Sequence, residues 1–495
     1  MPEYLKALIV ILILSSATFM LVRQPACAAA ISPADYVRRR NLWLALTLIA
    51  FLAHNFWVLM LFAGVTLALV AARDSNRPAL YFFVLFAIPQ ISQPITGLGV
   101  INQFFVLDFV RLLALVVFLP AAYGLYQQQI RNGERINMTD KILIAYLLLN
   151  IALQFLAISF TGTMRNAFYS FIDVFLPYYV LSRSLRTYGG LRDATTSFVI
   201  AGLVLAVIGI FEFSRHWLLY YQLDGALGID WNYGGYLERE ETLRAMATTG
   251  QSIVLGYVVA TAFGLFLYAR NVMRGKLAVT ILLALLLGGL IASLSRGPWV
   301  GAGIMLVIYL LAAGRRAPAN FAYLALAAVI LLPALYMTPY WDKLIDYLPF
   351  VGEVDAGNVT YRQRLLEISI QIILENPLFG SSDFIYFLEE LRQGQGIIDI
   401  VNSFLMIALR SGLVGLSLFL VFFGTIMAGI VRRMKRSSAD GEIRQLGQAL
   451  LATLVGILVM IFTVSSINAV PVVYWALAGL GLAYAQMADP APATR

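Results

Sequence analysis

The amino-acid sequence predicts an all-α fold, a polytopic bundle of transmembrane helices, and two observations point there before any motif is read. Of 495 residues, 60% are hydrophobic and only 13% charged, against about 25% charged in an average soluble domain. Apolar stretches close to the roughly 20 residues that cross about 30 Å of hydrocarbon recur from one end of the chain to the other. A closed β-barrel is the other structure that satisfies its backbone in lipid. Its strands alternate in character, however, whereas Ile281 to Ile291 runs apolar without alternation.

Taken in order, the candidate spans begin with Leu5 to Val22, then Leu42 to Ala72, as a hairpin turning at His54-Asn55 or as one long span. Leu80 to Pro94, Phe104 to Tyr126, Ile142 to Phe160, Ala167 to Leu185 and Thr195 to Phe213 follow. After a gap come Ile253 to Tyr268, Leu277 to Leu294, Trp299 to Ala313 and Phe321 to Tyr336. Phe404 to Ile430, Ala449 to Val464 and Pro471 to Gln486 complete a set of about 12–15 crossings. The first stretch is read as a retained anchor. Ala26-Cys27-Ala28 resembles a cleavage site for a secretory signal, but the basic character before the stretch is weak and Arg23 follows it. A single cysteine, Cys27, leaves no intramolecular disulfide to hold the loops.

Lys and Arg give the bundle a direction. Arg38-Arg39-Arg40, Arg73 with Arg77, Arg131 to Lys141, Arg183 to Arg192, Arg270 to Lys276, Arg315-Arg316 and Arg432 to Arg436 all fall in short loops that can share one side. By the positive-inside rule that side is the cytoplasm. The formal charge of +8 is then an orientation signal rather than a sign of nucleic-acid binding. Two long connections fall on the opposite face, residues 214–250 and 338–402, the second with a helix-like run from Arg362 to Glu375. Without internal repeats or a soluble domain, residues 1–495 read as one transmembrane domain.

Between Thr338 and Asp399 the sequence has ten acidic and four basic residues, so the basic ones, Lys343, Arg362, Arg364 and Arg392, are informative. Arg244 closes the first outer loop, and Arg296 lies in Ser293-Leu294-Ser295-Arg296-Gly297-Pro298 at the outer mouth of two apolar spans. An arginine there either snorkels to the interface or faces a polar partner. Guanidinium groups grip phosphate through paired hydrogen bonds, so converging arginines at an outer surface suit a pyrophosphate-linked lipid. Asp108 and Arg111, three residues apart in an apolar segment, share a helix face and can neutralise each other, and Asp173 and Glu212 are further intramembrane carboxylates. Structural pairing is the first reading of these charges, and a polar wall of a substrate cavity, Glu212 among its residues, is the second. The two histidines are His54, suited to a hairpin turn, and His216, beside Trp217 in the first outer loop, where it is a candidate for substrate contact or catalysis. There is no GxxxxGK[ST] loop and no Cys/His cluster of metal-binding spacing, so neither cofactor nor metal is expected.

Ser295-Arg296-Gly297 before an apolar span, Arg362 followed by Pro377-Leu378-Phe379-Gly380, and Asn402-Ser403-Phe404-Leu405 leading to Gly412-Leu413-Val414-Gly415-Leu416 together resemble the O-antigen ligase and Wzy-type polysaccharide polymerase superfamily. The resemblance runs from about Leu243 to Leu420 and implies a GT-C-like, metal-independent, inverting glycosyltransferase. It would work at the periplasmic face of a bacterial inner membrane on undecaprenyl-diphosphate-linked oligosaccharide as donor and acceptor, with chain-length regulators or export proteins as further partners. It also implies that Arg296 and Arg362 hold the pyrophosphate, with Arg364 a close alternative to Arg362. Ligases of the family carry a His-Asn pair after the large loop, but here the residues are Val401-Asn402. Asp399, three residues earlier, can serve as the base toward a sugar hydroxyl. Asp399 or Asn402 would orient the acceptor, or either would simply cap the next helix. The lost histidine suggests a polymerase of the exopolysaccharide branch, with a ligase as the alternative and a lipid-linked sugar transporter or flippase as the reading from another class.

Overall fold

The computed structural model describes residues 1–314 and 356–487, apart from short stretches within 98–101, 230–241, 393–397 and 438–440, together with 318–319, 322 and 336. It is a helical bundle, as the composition predicts. Helices α1 (Glu3–Ala29), α2 (Pro33–Leu52), α3 (Phe56–Ala71) and α4 (Arg77–Val84) precede a two-stranded hairpin, β1 (Ser92–Thr96) and β2 (Gln103–Asp108). Then come α5 (Phe109–Asn132), α6 (Met138–Ala157), α7 (Phe160–Tyr169), α8 (Leu176–Ser184) and α9 (Tyr188–Arg215). The remaining long helices are α10 (Ser252–Val272), α11 (Lys276–Ala292), α12 (Arg296–Ala312), α13 (Ala356–Glu375), α14 (Ser403–Arg436), α15 (Glu442–Met460) and α16 (Ala469–Gln486). Among the described residues, eight helices are long and apolar enough to cross a membrane and three shorter apolar ones accompany them. The expected span from Phe321 to Tyr336 lies almost wholly outside the described residues, as do Lys343 and Arg315-Arg316.

Local chemistry sets many helix starts. Ser32, Asn55, Asn76, Thr187 and Asn402 each accept backbone N–H groups of the first turn, and Asn137 forms a capping box with Asp140. The turn at His54-Asn55 divides Leu42 to Ala72 into α2 and α3, and His54 Nδ1 donates to the Ala226 carbonyl at 3.2 Å. One expected span differs. Leu80 to Pro94 is not a membrane helix: α4 stops at Val84, and the chain enters an antiparallel hairpin pairing Ser92 with Asp108 and Pro94 with Val106. Pro89 disfavours helix at the residue before it, and Pro94 lacks the N–H that a continuing helix would need. Asp108 therefore ends a strand and caps α5 through the Arg111 N–H. Arg111 pairs with Asp173 at 2.9 Å and lies over the Tyr169 ring, so these charges brace the first half of α5 against the segment after α7.

The basic loops meet at one end. Arg39, fully buried, bonds Asp74 through two nitrogens at 2.8 Å and Asp193 at 2.6 Å, tying the start of α2 to the end of α3 and the start of α9. Arg183 pairs with Asp140 and Arg186 with Glu134. Tyr188 donates to Glu442, and Asn271 to Gln445. The described loops that carry these clusters are thus physically joined there. The ends carrying 216–227, 245–249, 292–296, 399–403 and 461–468 gather at the other.

Candidate functional site

The outer end is built upward from a buried carboxylate. Glu212, at the end of α9, is inaccessible to solvent. Its Oε2 accepts the N–H groups of Met246 (3.0 Å) and Ala247 (2.8 Å), and its Oε1 that of Leu219 (3.1 Å). With Ala245 N–H donating to the Ala292 carbonyl, the backbone of 244–247 is pinned onto the end of α11. Glu212 is therefore occupied in shaping the outer face. What it holds in place is Arg244, whose Nη2 donates to Ser295 Oγ at 3.1 Å, directly before Arg296.

Each residue of the Ser-Arg-Gly motif has a physical reason. Ser295 links to Arg244 and donates to the Ser293 carbonyl. Arg296 opens α12, half-buried. Gly297 lies so close to the loop after α15 that a Cβ would come 2.5 Å from Thr463 Oγ1. That loop, residues 461–468, joins the parts of the site. Ser465 Oγ donates to Asp399 Oδ1 at 2.6 Å. Ser403 bonds Ser466 and the Val464 carbonyl, and Asn468 Nδ2 donates to the Thr249 carbonyl. Sequence reasoning missed this loop. Its only local signal is the polar run Thr463-Val464-Ser465-Ser466-Ile467-Asn468 between two apolar spans, and its partners lie far away in the chain.

The large second loop joins the same region through Asp399. The Tyr361 hydroxyl accepts the Asp399 N–H and donates to the Asp399 carbonyl, each at 3.0 Å, so the start of α13 is fastened to the backbone of Asp399. Leu365, Ile372, Leu388, Ile400 and Leu409 form a small apolar core under that fastening. Arg362 follows Tyr361, is exposed, and has no ion pair among the described residues. Arg364 is engaged by Glu390 (2.9 Å) and Glu367 (3.4 Å), and Arg392 by Glu389. The geometry thus separates Arg362 from its close alternative. Asn402 caps α14, its Oδ1 accepting from Phe404 and Leu405, while among the described residues the Asp399 carboxylate accepts from Ser465 and from no backbone N–H. His216 is an exposed, left-handed residue closing α9, and among the described residues its ring has no hydrogen bond to Asp399 or to these arginines.

Two further motifs prove to be one joint. At Gly412 (φ 62°) α14 breaks, and Pro377-Leu378-Phe379-Gly380 plugs the break. Leu413 N–H donates to the Pro377 carbonyl, and Ser381 N–H to the Leu409 carbonyl, both at 2.8 Å. Added Cβ atoms would meet opposing backbone oxygens at 2.2 Å for Gly412 and 2.3 Å for Gly380, so both glycines are demanded by close approach as well as by φ. Just before the break stands Arg410, which the sequence reading passed over. It is exposed on a membrane helix, without an ion pair among the described residues, and Tyr146 is its electrostatic neighbour. An arginine inside an otherwise apolar span was the available signal.

Among the described residues no group of His, Cys, Asp or Glu is placed to hold a metal ion. Residues 281–420 match the family model Wzy_C, described as O-Antigen ligase. The match takes in Arg296, Arg362, Asp399, Asn402 and Arg410, and leaves out Arg244 and the 461–468 loop. No curated protein matches the chain.

Proposed function

The chain carries the O-antigen ligase family segment in a multi-pass membrane protein, and on that premise we propose that it is a glycosyltransferase polymerising undecaprenyl-diphosphate-linked oligosaccharide repeats at the periplasmic face of a bacterial inner membrane. One observation carries the reading. Arg244 with Ser295-Arg296, Tyr361-Arg362 and Asp399 are linked by direct contacts and by one loop at the end of the bundle opposite the paired basic clusters.

In the proposed reaction the acceptor hydroxyl attacks the anomeric carbon of the donor sugar. Asp399, one oxygen held by Ser465, takes the hydroxyl proton. The bond from the anomeric carbon to the diphosphate oxygen breaks as the new glycosidic bond forms, with inversion. Arg296 and Arg362 stabilise the departing diphosphate, so catalysis is chiefly electrostatic and requires no metal. Arg244 orients the Ser295-Arg296 turn, Glu212 and Asn402 are positioning residues, and Arg364 braces the loop.

The second reading is transfer of glycan to lipid A core or to protein, favoured by the family's description as a ligase. The residue before Asn402 is Val401 rather than histidine, which supports the polymerase. Lipid-linked glycans from a deletion strain separate the two. Accumulated single repeats are the expected result, and accumulated long lipid-linked polymer would overturn it in favour of the ligase.

A further inference from the structure

Far from this site, at the basic end, the first half of α5 is buried in the bundle, and its second half touches α8 through Gln129, whose Oε1 accepts from Tyr179 at 3.0 Å. Its second part, Leu119–Asn132, buries none of its side chains, although Tyr123, Tyr126 and Ile130 are large and apolar. Cavities flank it. One, about 920 Å³, runs between α5, α6 and α8 with walls from Leu119, Tyr126, Ile144, Phe171, Phe175 and Leu176. Its upper end is aliphatic and aromatic, and its lower end reaches Gln129, Glu134, Asp140 and Arg183. A second cavity of about 130 Å³ shares Gln129, Glu134 and Arg183 with it and is lined otherwise by Leu125, Gln128, Asn132 and Arg186. An apolar trough thus adjoins a small polar chamber at the level of the basic loops.

The charges around that chamber are unequal. The carboxylates that line trough and chamber are already engaged, Asp140 of the trough by Arg183 and Glu134, common to both, by Arg186. Arg131, Arg135 and Lys141 flank the same loop and have no ion pair among the described residues. The trough therefore offers apolar walls of ligand-pocket size with surplus positive charge at one end. Basic pockets between membrane helices on the cytoplasmic side suit anionic lipid headgroups.

We propose that this trough is a binding site for an anionic phospholipid of the leaflet on the basic face. An acyl chain would lie along Leu119, Ile144, Phe171 and Phe175, with the phosphate at the chamber between Arg186 and Arg135. The lipid fills the space that α5 leaves, holding that helix against α8. The site is independent of the glycan chemistry and lies at the other end of the bundle.

The test is native mass spectrometry of the purified full chain after exposure to vesicles of phosphatidylcholine mixed equally with phosphatidylglycerol. Wild type should retain phosphatidylglycerol in preference to phosphatidylcholine. Arg135→Gln with Arg186→Gln, both at exposed positions, should abolish the preference. Ala122→Trp, which fills the trough, should reduce retention of both lipids. Equal retention of the two lipids by wild type, or an unchanged preference in the double variant, would overturn the proposal.

Discussion

The buried arginines at the basic end of this bundle and the exposed Arg362 and Arg410 at the other end treat charge in opposite ways. At the basic end, Arg39 is buried between Asp74 and Asp193, and Arg183 is closed by Asp140. At the outer end, Arg362 and Arg410 carry no ion pair among the described residues, and the Asp399 carboxylate is held by a serine. Burying a charge is costly unless it is paired, so the first pattern supports architecture. An arginine kept without an internal partner at the mouth of a membrane bundle fits recognition of something outside the protein. The contrast predicts that substitutions at one end reduce stability and those at the other reduce activity.

The largest effect tests the architectural end. Arg39→Leu leaves two carboxylates buried without their partner and should cost about 3–5 kcal/mol of stability, read as a lowered unfolding temperature in detergent. Arg362→Ala is its counterpart. Stability should change by no more than about 0.5 kcal/mol, while transfer falls roughly 100- to 1,000-fold, the scale seen when one preorganised donor to developing charge is removed. Comparable losses of stability in both variants would erase the distinction between the ends.

Gly380→Ala probes the joint connecting the loop to α14. A methyl group there meets the Leu409 carbonyl at a backbone φ of +72°, so about 1–3 kcal/mol of stability and most of the activity should be lost together. Arg410→Gln should lower activity roughly tenfold, the size of one charge-assisted hydrogen bond, with no change in unfolding temperature. The smallest effect concerns pH. The Arg392 guanidinium bonds Glu389 and holds its carboxyl below the usual range. A depressed folded-state value means that the stabilisation is present above the ordinary glutamate value of about 4.3 and is lost as pH falls through the folded one. Hydrogen exchange in residues 389–392 should therefore quicken on acidification, with no change near neutrality.

Much of this plan was legible from the residues. Apolar content fixed the helical bundle, and Lys and Arg placement fixed which ends lie together, because both properties act through local composition. The hairpin at 92–108 was not legible, since Phe104 to Leu107 of its second strand pass for the edge of a span and only Pro89 and the polar, proline-bearing first strand argue otherwise. Arg296, Arg362 and Asp399 could be picked out by residue type and order. Their linkage could not, because Ser465 lies 66 residues from Asp399 and Asn468 lies 219 from Thr249. The same holds for Gly380 and Gly412, whose need for bare backbone arises from the segment each one meets. Glu212 could be recognised as unusual from its depth, but its three backbone partners come from two separate stretches of chain.

The most direct measurement uses the purified chain in vesicles supplied with an undecaprenyl-diphosphate-linked oligosaccharide repeat and no nucleotide sugar. Wild type should convert the repeat into a ladder of lipid-linked polymer, and Arg362→Ala, equally folded, should leave it as single repeats. Movement of the lipid-linked sugar across the bilayer without any new glycosidic bond, or an undiminished ladder from Arg362→Ala, would contradict the account.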